Sequence, residues 1–164
     1  MARSMRSRFT SPLSFCAMSL PASLTQHRAL LCHFDGYSAA LLFARWADTT
    51  SLLWPSPLPA GSSTAEVALP HDGQAMRQAV VAQLGLNDAD LAWVPEFDEG
   101  LRSPDGIETR VHLLRFTTFE APAAAIEPAG GSFKHLPALR GSDPTELALL
   151  REVFNLMVGG SGRR

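Results

Sequence analysis

The spacing of hydrophobic residues divides the chain into short apolar runs, which predict strands, and two segments of helical periodicity. Two apolar runs flank Asp35-Gly36 and predict strands at about 28–34 and 38–45, joined by a hairpin turn, because Asp and Gly tolerate a positive φ. Residues 52–54 predict a further short strand. Three prolines within residues 55–63 then predict a loop, since proline cannot donate to a strand ladder.

The first helical segment carries Met76, Val80 and Leu84 at a spacing of four. This spacing predicts a helix over about residues 73–84. Asp72 is the expected N-cap, and Gly85 is the expected stop.

A second helix is predicted after Asp143, which is the expected N-cap. Pro144 suits the first helical position, and the Glu146 side chain is expected to reach back to the N-cap as a capping box. Apolar residues continue at helical spacing to Met157, and the glycines at 159 and 160 end the helix.

Between the helices, residues 91–97 and 107–119 predict an antiparallel pair of strands with a long connecting loop. Residues 132–135 predict a last strand after a linker rich in Ala and Pro. The chain has no internal repeat. The pattern and the length of 164 residues predict a single α+β or α/β domain over residues 18–158.

Charge is distributed unevenly, although the formal net charge is only −2. Five of the 14 basic residues lie in residues 1–17 and 159–164, and these two segments contain no acidic residue. Residues 18–158 therefore hold nine basic and all 16 acidic residues, which gives them a net charge of −7. This acidity argues against nucleic acid as a partner. We interpret residues 1–17 as a disordered basic tail or an over-extended start, and residues 159–164 as a flexible tail.

No apolar run approaches the roughly eighteen residues of a membrane helix, so no membrane partner is expected. Cys16 and Cys32 are too few for a disulfide framework and lack metal-ligand spacing. Cys32, in an apolar run, is predicted to be a buried free thiol. These features favour a reducing, cytoplasmic setting.

Common nucleotide-binding, zinc and serine-hydrolase motifs are absent from the sequence. The candidate catalytic residues are Glu96, Asp98 and Glu99, because carboxylates this close together can bind a cation or carry out acid/base chemistry. A solvated acidic loop is the alternative. His112 is expected on a solvated or cross-paired strand face that it shares with Glu108 and Arg110.

The order of these elements resembles the Nudix superfamily. Residues 28–61, RALLCHFDGYSAALLFARWADTTSLLWPSPLPAG, are similar to the opening of a Nudix domain, with two apolar strands, an Arg, a Trp and a Pro-Gly-rich loop. The family then has the Nudix box, G-x5-E-x7-R-E-U-x-E-E-x-G-U, whose closing glycine corresponds here to Gly85. The resemblance implies a mixed β-sheet sandwiched between helices.

The metal-binding positions of the box are not matched: its Arg falls on Gln78, the adjacent Glu on Ala79, and the paired glutamates on Ala82 and Gln83. In the family these carboxylates hold Mg²⁺, which neutralises a diphosphate and helps to activate water. Alanine supplies no oxygen ligand and glutamine supplies no charge. No metal is therefore expected at these four positions, and no cofactor.

The resemblance implies a degenerate Nudix domain, a pseudoenzyme that acts as a ligand-binding or interaction module. Its partner would be another protein or a small-molecule or nucleotide-like ligand, and Arg45, Trp54 and Gln83 are the candidate ligand-binding residues. One alternative is a divergent hydrolase of nucleoside diphosphate-linked compounds, with a Mg²⁺ site rebuilt from the three acids. Another is a small structural α+β protein, which could form a homodimer.

Overall fold

The computed structural model describes residues 21–35, 37–38, 40–48 and 50–159, which form a single mixed α+β domain. Within these residues the α-helices are Gly73–Leu84 (α1), Ala123–Ile126 (α2) and Pro144–Phe154 (α3). The strands are His27–Asp35 (β1), Ala40–Trp46 (β2), Leu53–Trp54 (β3), Ser63–Thr64 (β4), Leu91–Arg102 (β5), Glu108–Phe116 (β6) and Gly131–His135 (β7). The tail predicted at residues 1–17 lies outside the described residues.

The strand order in the sheet is β4-β5-β6-β1-β2-β7, and β3 pairs with the first half of β1. β1 runs parallel to β6, with Ala29 opposite His112 and Leu31 opposite Leu114. The other strand pairs are antiparallel. Parallel neighbours need a long crossover connection, and the chain between β1 and β6 contains α1.

The central strand β1 is buried on both faces. Its side chains alternate, so Ala29 and Leu31 point to one face while Leu30 and Cys32 point to the other. All four are at most 1% exposed. The first pair packs in a cluster that includes α1, and the second pair packs in a cluster that includes α3. The two long helices therefore cover opposite faces of the sheet.

Both long helices begin at the predicted residues. The Asp72 side chain accepts a hydrogen bond from the N–H of Ala75, and Gly85 ends α1 with a φ of 67°. The Asp143 side chain accepts a hydrogen bond from the N–H of Thr145 at the start of α3. These ends were predictable because capping depends on residues within one turn.

The strand predictions for β1, β2, β3 and β7 are confirmed to within two residues. The predicted loop after residue 97 is wrong, because β5 continues to Arg102 and only residues 103–107 separate it from β6. A bulge between Val94 and Glu99 lets the strand resume pairing, with Glu99 opposite Val111. The short elements β4 and α2 were not predicted, and β6 ends before residue 119.

Of the two environments predicted for the strand face of His112, the solvated one is wrong and the cross-paired one is confirmed. The His112 side chain is fully buried, at 0% exposure, and contacts His27 on the neighbouring strand β1, while Glu108 pairs with Arg102 of β5. The segment before α1 covers this face of β6, since the Arg110 guanidinium donates a hydrogen bond to the Leu69 carbonyl at 2.9 Å. Cys32 is buried as a free thiol, as predicted, and burial raises its pKa to about 12.

No helix within the described ranges combines the length and apolar character that crossing a membrane requires.

Gly73, the first residue of α1, lies against the indole ring of Trp93. A Cβ added to Gly73 would lie 2.0 Å from the Trp93 Nε1 atom, so the helix or the ring would have to move. We expect Gly73→Ala to lower the free energy of unfolding by about 1–3 kcal/mol, measured by urea denaturation. Gly141→Ala is the control, because nothing lies within 4 Å of its added Cβ. Equal stability of the two variants would contradict close packing of α1 on Trp93.

Candidate functional site

A polar cavity of about 210 Å³ lies between the end of β2, the loop before β4 and the first turn of α3. Pockets for drug-sized ligands usually span roughly 300–1,000 Å³, so this cavity fits a smaller molecule. The polar side chains in its wall are Arg45, Thr50, Ser51, Ser62, Ser142, Asp143, Thr145 and Glu146.

Glu146 is a buried carboxyl group in this wall, with 6% of its surface exposed. Its carboxylate accepts hydrogen bonds from the Ser51 hydroxyl at 2.6 Å and from the Leu52 N–H at 3.4 Å. The predicted capping box is therefore wrong: donors almost one hundred positions earlier, and not the N-cap backbone, bind this side chain. Burial raises the pKa of Glu146, against the smaller opposing effects of these hydrogen bonds and of the nearby Arg45 charge.

Arg45 is the cation of the cavity. It lies on β2 opposite Ser132 of β7, and its side chain is half-buried. Its guanidinium makes no hydrogen bond or ion pair with any residue that the structure describes, and its charge acts on Glu146 through space. Arginine carries five N–H donors in a planar arrangement that matches carboxylates and phosphates. These donors are available to a ligand.

Hydroxyl groups complete the wall. The Thr145 hydroxyl donates to the Ser62 carbonyl at 2.8 Å, and the Ser62 hydroxyl donates to the Pro59 carbonyl at 2.7 Å, so the loop is tied to α3. The Ser142 hydroxyl oxygen is buried without a hydrogen-bond partner in the described part of the chain. Asp143 adds a second carboxyl group to the wall, and its side chain accepts a hydrogen bond from the Thr145 N–H at 2.9 Å. The cation and the hydroxyl groups are the features of the wall that are suited to bind a small, oxygen-rich anion.

Of the three predicted ligand-binding residues, Arg45 lines this cavity, whereas Trp54 and Gln83 do not. Trp54 is 7% exposed and packs in the core cluster that contains Met76 of α1. Gln83 is half-buried near the end of α1. The structure separates these residues because α1 and the cavity beside α3 lie on opposite faces of the sheet.

The segment that resembles the Nudix box lies on α1, where its key positions are exposed or half-buried: Gln78, Ala79, Ala82 and Gln83. Arg77, one place out of register with the box arginine, is 7% exposed. Its guanidinium donates to the Leu91 carbonyl at 3.1 Å and to the Asp88 carboxylate at 2.7 Å. Arg77 therefore joins α1 to the start of β5 and does not point to a ligand.

The acidic candidates lie on β5 and differ in their partners: Glu96, Asp98 and Glu99. Asp98 pairs with Arg110 on the face covered by α1. All three acids nevertheless line one cavity of about 220 Å³, together with Glu152 of α3. Burial raises the pKa of Glu99, and the charge of Glu152 acts in the same direction. Among the described residues, no group of three or more His, Cys, Asp or Glu side chains is placed to hold a metal ion.

Three histidines, distant in sequence, form a stack that the sequence did not reveal: His27, His71 and His112. His27 Nδ1 lies 2.9 Å from His112 Nε2, and their rings are 5° from parallel. The His71 ring stacks on His112 with 5.8 Å between centroids. Burial, followed by the effects of His27, His71 and Arg110, lowers the pKa of His112 to about 3. Pairing of β1 with β6 creates this stack, so no local sequence signal marks it.

The chain matches no model of a known protein family and no curated protein. A function for it therefore has to be argued from the residues and distances given above.

Stability is expected to fall as the pH falls, because the folded domain keeps His112 neutral. An unfolded His binds a proton near pH 6.5, whereas folded His112 does so only near pH 3. The contribution of His112 to the free energy of unfolding is therefore complete above about pH 6.5 and is lost progressively as the pH falls towards 3. His112 alone accounts for about 2 kcal/mol between pH 8 and pH 5, and urea denaturation across this range measures it. His27 adds to the loss, since its pKa is also lowered, first by burial and then by Arg110.

Two variants test the origin of this pH dependence. His112→Gln should flatten it, whereas the control His135→Gln should leave it unchanged because His135 is exposed. An NMR titration of the wild-type protein avoids any loss of folding in the first variant. Protonation of the His112 imidazole above about pH 6 would contradict the prediction.

Proposed function

We propose that this chain is a Nudix-like domain that has lost the box carboxylates and binds a small anionic molecule without hydrolysing it. The cavity at the start of α3 carries the proposal, because the N–H donors of Arg45 have no partner among the described residues and lie there beside hydroxyl groups. The Nudix-like part is supported by the element order and by a mixed sheet with long helices on both faces.

The carboxyl group of Glu146 restricts which ligands the cavity can bind. An ionised Glu146 would repel an anion, but burial and, more weakly, the charge of Asp143 raise the pKa of Glu146, so this group takes up a proton more readily than an exposed glutamate does. A bound anion acts in the same direction, so binding is accompanied by proton uptake at Glu146. The ligand is a small carboxylate or phosphate compound that Arg45 binds through paired hydrogen bonds. Its affinity should rise as the pH falls from neutrality.

The absence of hydrolysis is supported by the side chains at the box positions. Ala79 and Ala82 supply no oxygen for a metal ion, and Gln83 supplies no charge. The acids of β5 line one cavity with Glu152, but Asp98 is paired with Arg110, and no three carboxylates of the described residues are placed to hold a metal ion together.

The first test is anion binding, measured by NMR titration with inorganic phosphate and with malonate. Arg45→Gln should weaken binding by roughly tenfold or more, because a charge-assisted hydrogen-bond donor is lost. Arg151→Gln is the matched control, since Arg151 is exposed on α3 and does not line the cavity. Equal affinities of the two variants, or no binding of either anion by the wild-type protein, would refute this site.

The second test is hydrolysis of ADP-ribose with Mg²⁺. We expect no more product than in a blank without protein, because the box positions supply no carboxylate. Mg²⁺-dependent hydrolysis that disappears in the double variant Glu96→Gln/Glu99→Gln would overturn the non-catalytic proposal and support a rebuilt metal site. Unchanged hydrolysis in that variant would overturn the non-catalytic proposal and exclude these acids as the site.

A further inference from the structure

Two aromatic side chains lie next to each other on the surface, beyond the ends of β1 and β6. Tyr37 is 90% exposed and Phe119 is 79% exposed. Their ring centroids are 6.4 Å apart, and the ring planes meet at 75°. With Phe34, Asp35 and Thr118 they line an open cavity of about 320 Å³. Two large exposed rings at one point mark a surface that is suited to bind an apolar group.

A carboxylate gives this aromatic corner a negative charge. Asp35 accepts hydrogen bonds from the Ser38 hydroxyl at 2.8 Å and from the Tyr37 N–H at 2.9 Å. These bonds lower the pKa of Asp35, so the group is ionised at neutral pH. The faces of aromatic rings also carry negative partial charge. No Lys or Arg lines the cavity within the described residues.

We propose that this corner binds the quaternary ammonium group of a small molecule, held against the faces of Tyr37 and Phe119 with Asp35 as the counter-charge. Such a group joins a positive charge to an apolar surface of methyl groups, which is the combination that aromatic rings recognise. It also has no N–H donors, so it needs no hydrogen-bond acceptors in the open cavity. The site is separate from the cavity that contains Arg45.

The strand pairing favours a small molecule over a peptide. β1 pairs with β2 on one side, where Asp35 is opposite Ala40, and with β6 on the other, where His33 is opposite Phe116. Among the described residues of β1, only Phe34 and Asp35 lack a partner on the β6 side, and this edge is too short for a peptide to add as a strand. The described residues that line the cavity come from two short segments only, Phe34, Asp35 and Tyr37 in one and Thr118 and Phe119 in the other.

Tyr37 is the single tyrosine of the sequence, so its ring signals give a specific NMR probe of this site. We expect choline to shift these signals saturably. The neutral isostere 3,3-dimethyl-1-butanol, which has the same shape without the charge, should bind roughly tenfold more weakly. Phe119→Leu should weaken choline binding to a similar degree, roughly tenfold. The control Phe154→Leu changes an exposed ring on α3 and should leave the affinity unchanged.

Several outcomes would overturn this assignment. Equal binding of choline and its neutral isostere would show that the corner is only an apolar surface. A peptide with trimethyl-lysine that binds more than tenfold tighter than choline would show a macromolecular partner instead. Unsaturable shifts would show that no site exists. Choline binding should be the same in Arg45→Gln, so the failure of this site and the failure of the anion site are distinguishable.

Discussion

The parallel pairing of β1 with β6 is the constraint on which the rest of the structure depends. Ala29 to Cys32 of β1 and Val111 to Leu114 of β6 are at most 1% exposed. Strands buried on both faces require a covering layer on each side, and α1 and α3 supply these two layers. The same requirement explains why apolar residues occupy consecutive positions in these strands instead of alternating with polar ones.

Burial of this depth also encloses polar groups, which must then be paired or uncharged. The buried Arg77 guanidinium is paired, because the Asp88 carboxylate and the Leu91 carbonyl accept its hydrogen bonds. Glu146 is bound by Ser51, and its raised pKa favours the neutral form. His112 is neutral within its stack. The contacts of these three buried side chains join helices to strands and strands to one another. They therefore fix the relative positions of these elements as well as stabilising the fold.

The proposed anion site follows from the way β2 meets α3. Arg45 shares a strand face with Phe43 and Leu41, which pack in the core cluster of α3, so its side chain lies at the edge of that core. The first turn of α3 brings Thr145 and Glu146 to the same place. On the other side of the sheet, α1 packs through Met76 and Val80, while the positions that resemble the Nudix box remain at its outer surface.

The sequence by itself determined both long helices, the cores of most strands and the lack of carboxylates at the box positions, because caps, stops and apolar runs act within a few residues. It also offered Arg45 as a candidate ligand-binding residue, which stays a prediction, but not the groups that lie beside Arg45 in the cavity. Only the tertiary structure decided that β5 extends through Glu96, Asp98 and Glu99. It also decided that the Glu146 carboxylate accepts a hydrogen bond from Ser51, and that His112 is buried against His27. The histidines are 85 positions apart in the chain. Contacts at that separation depend on which strands pair, and local hydrophobic spacing carries no information about strand partners.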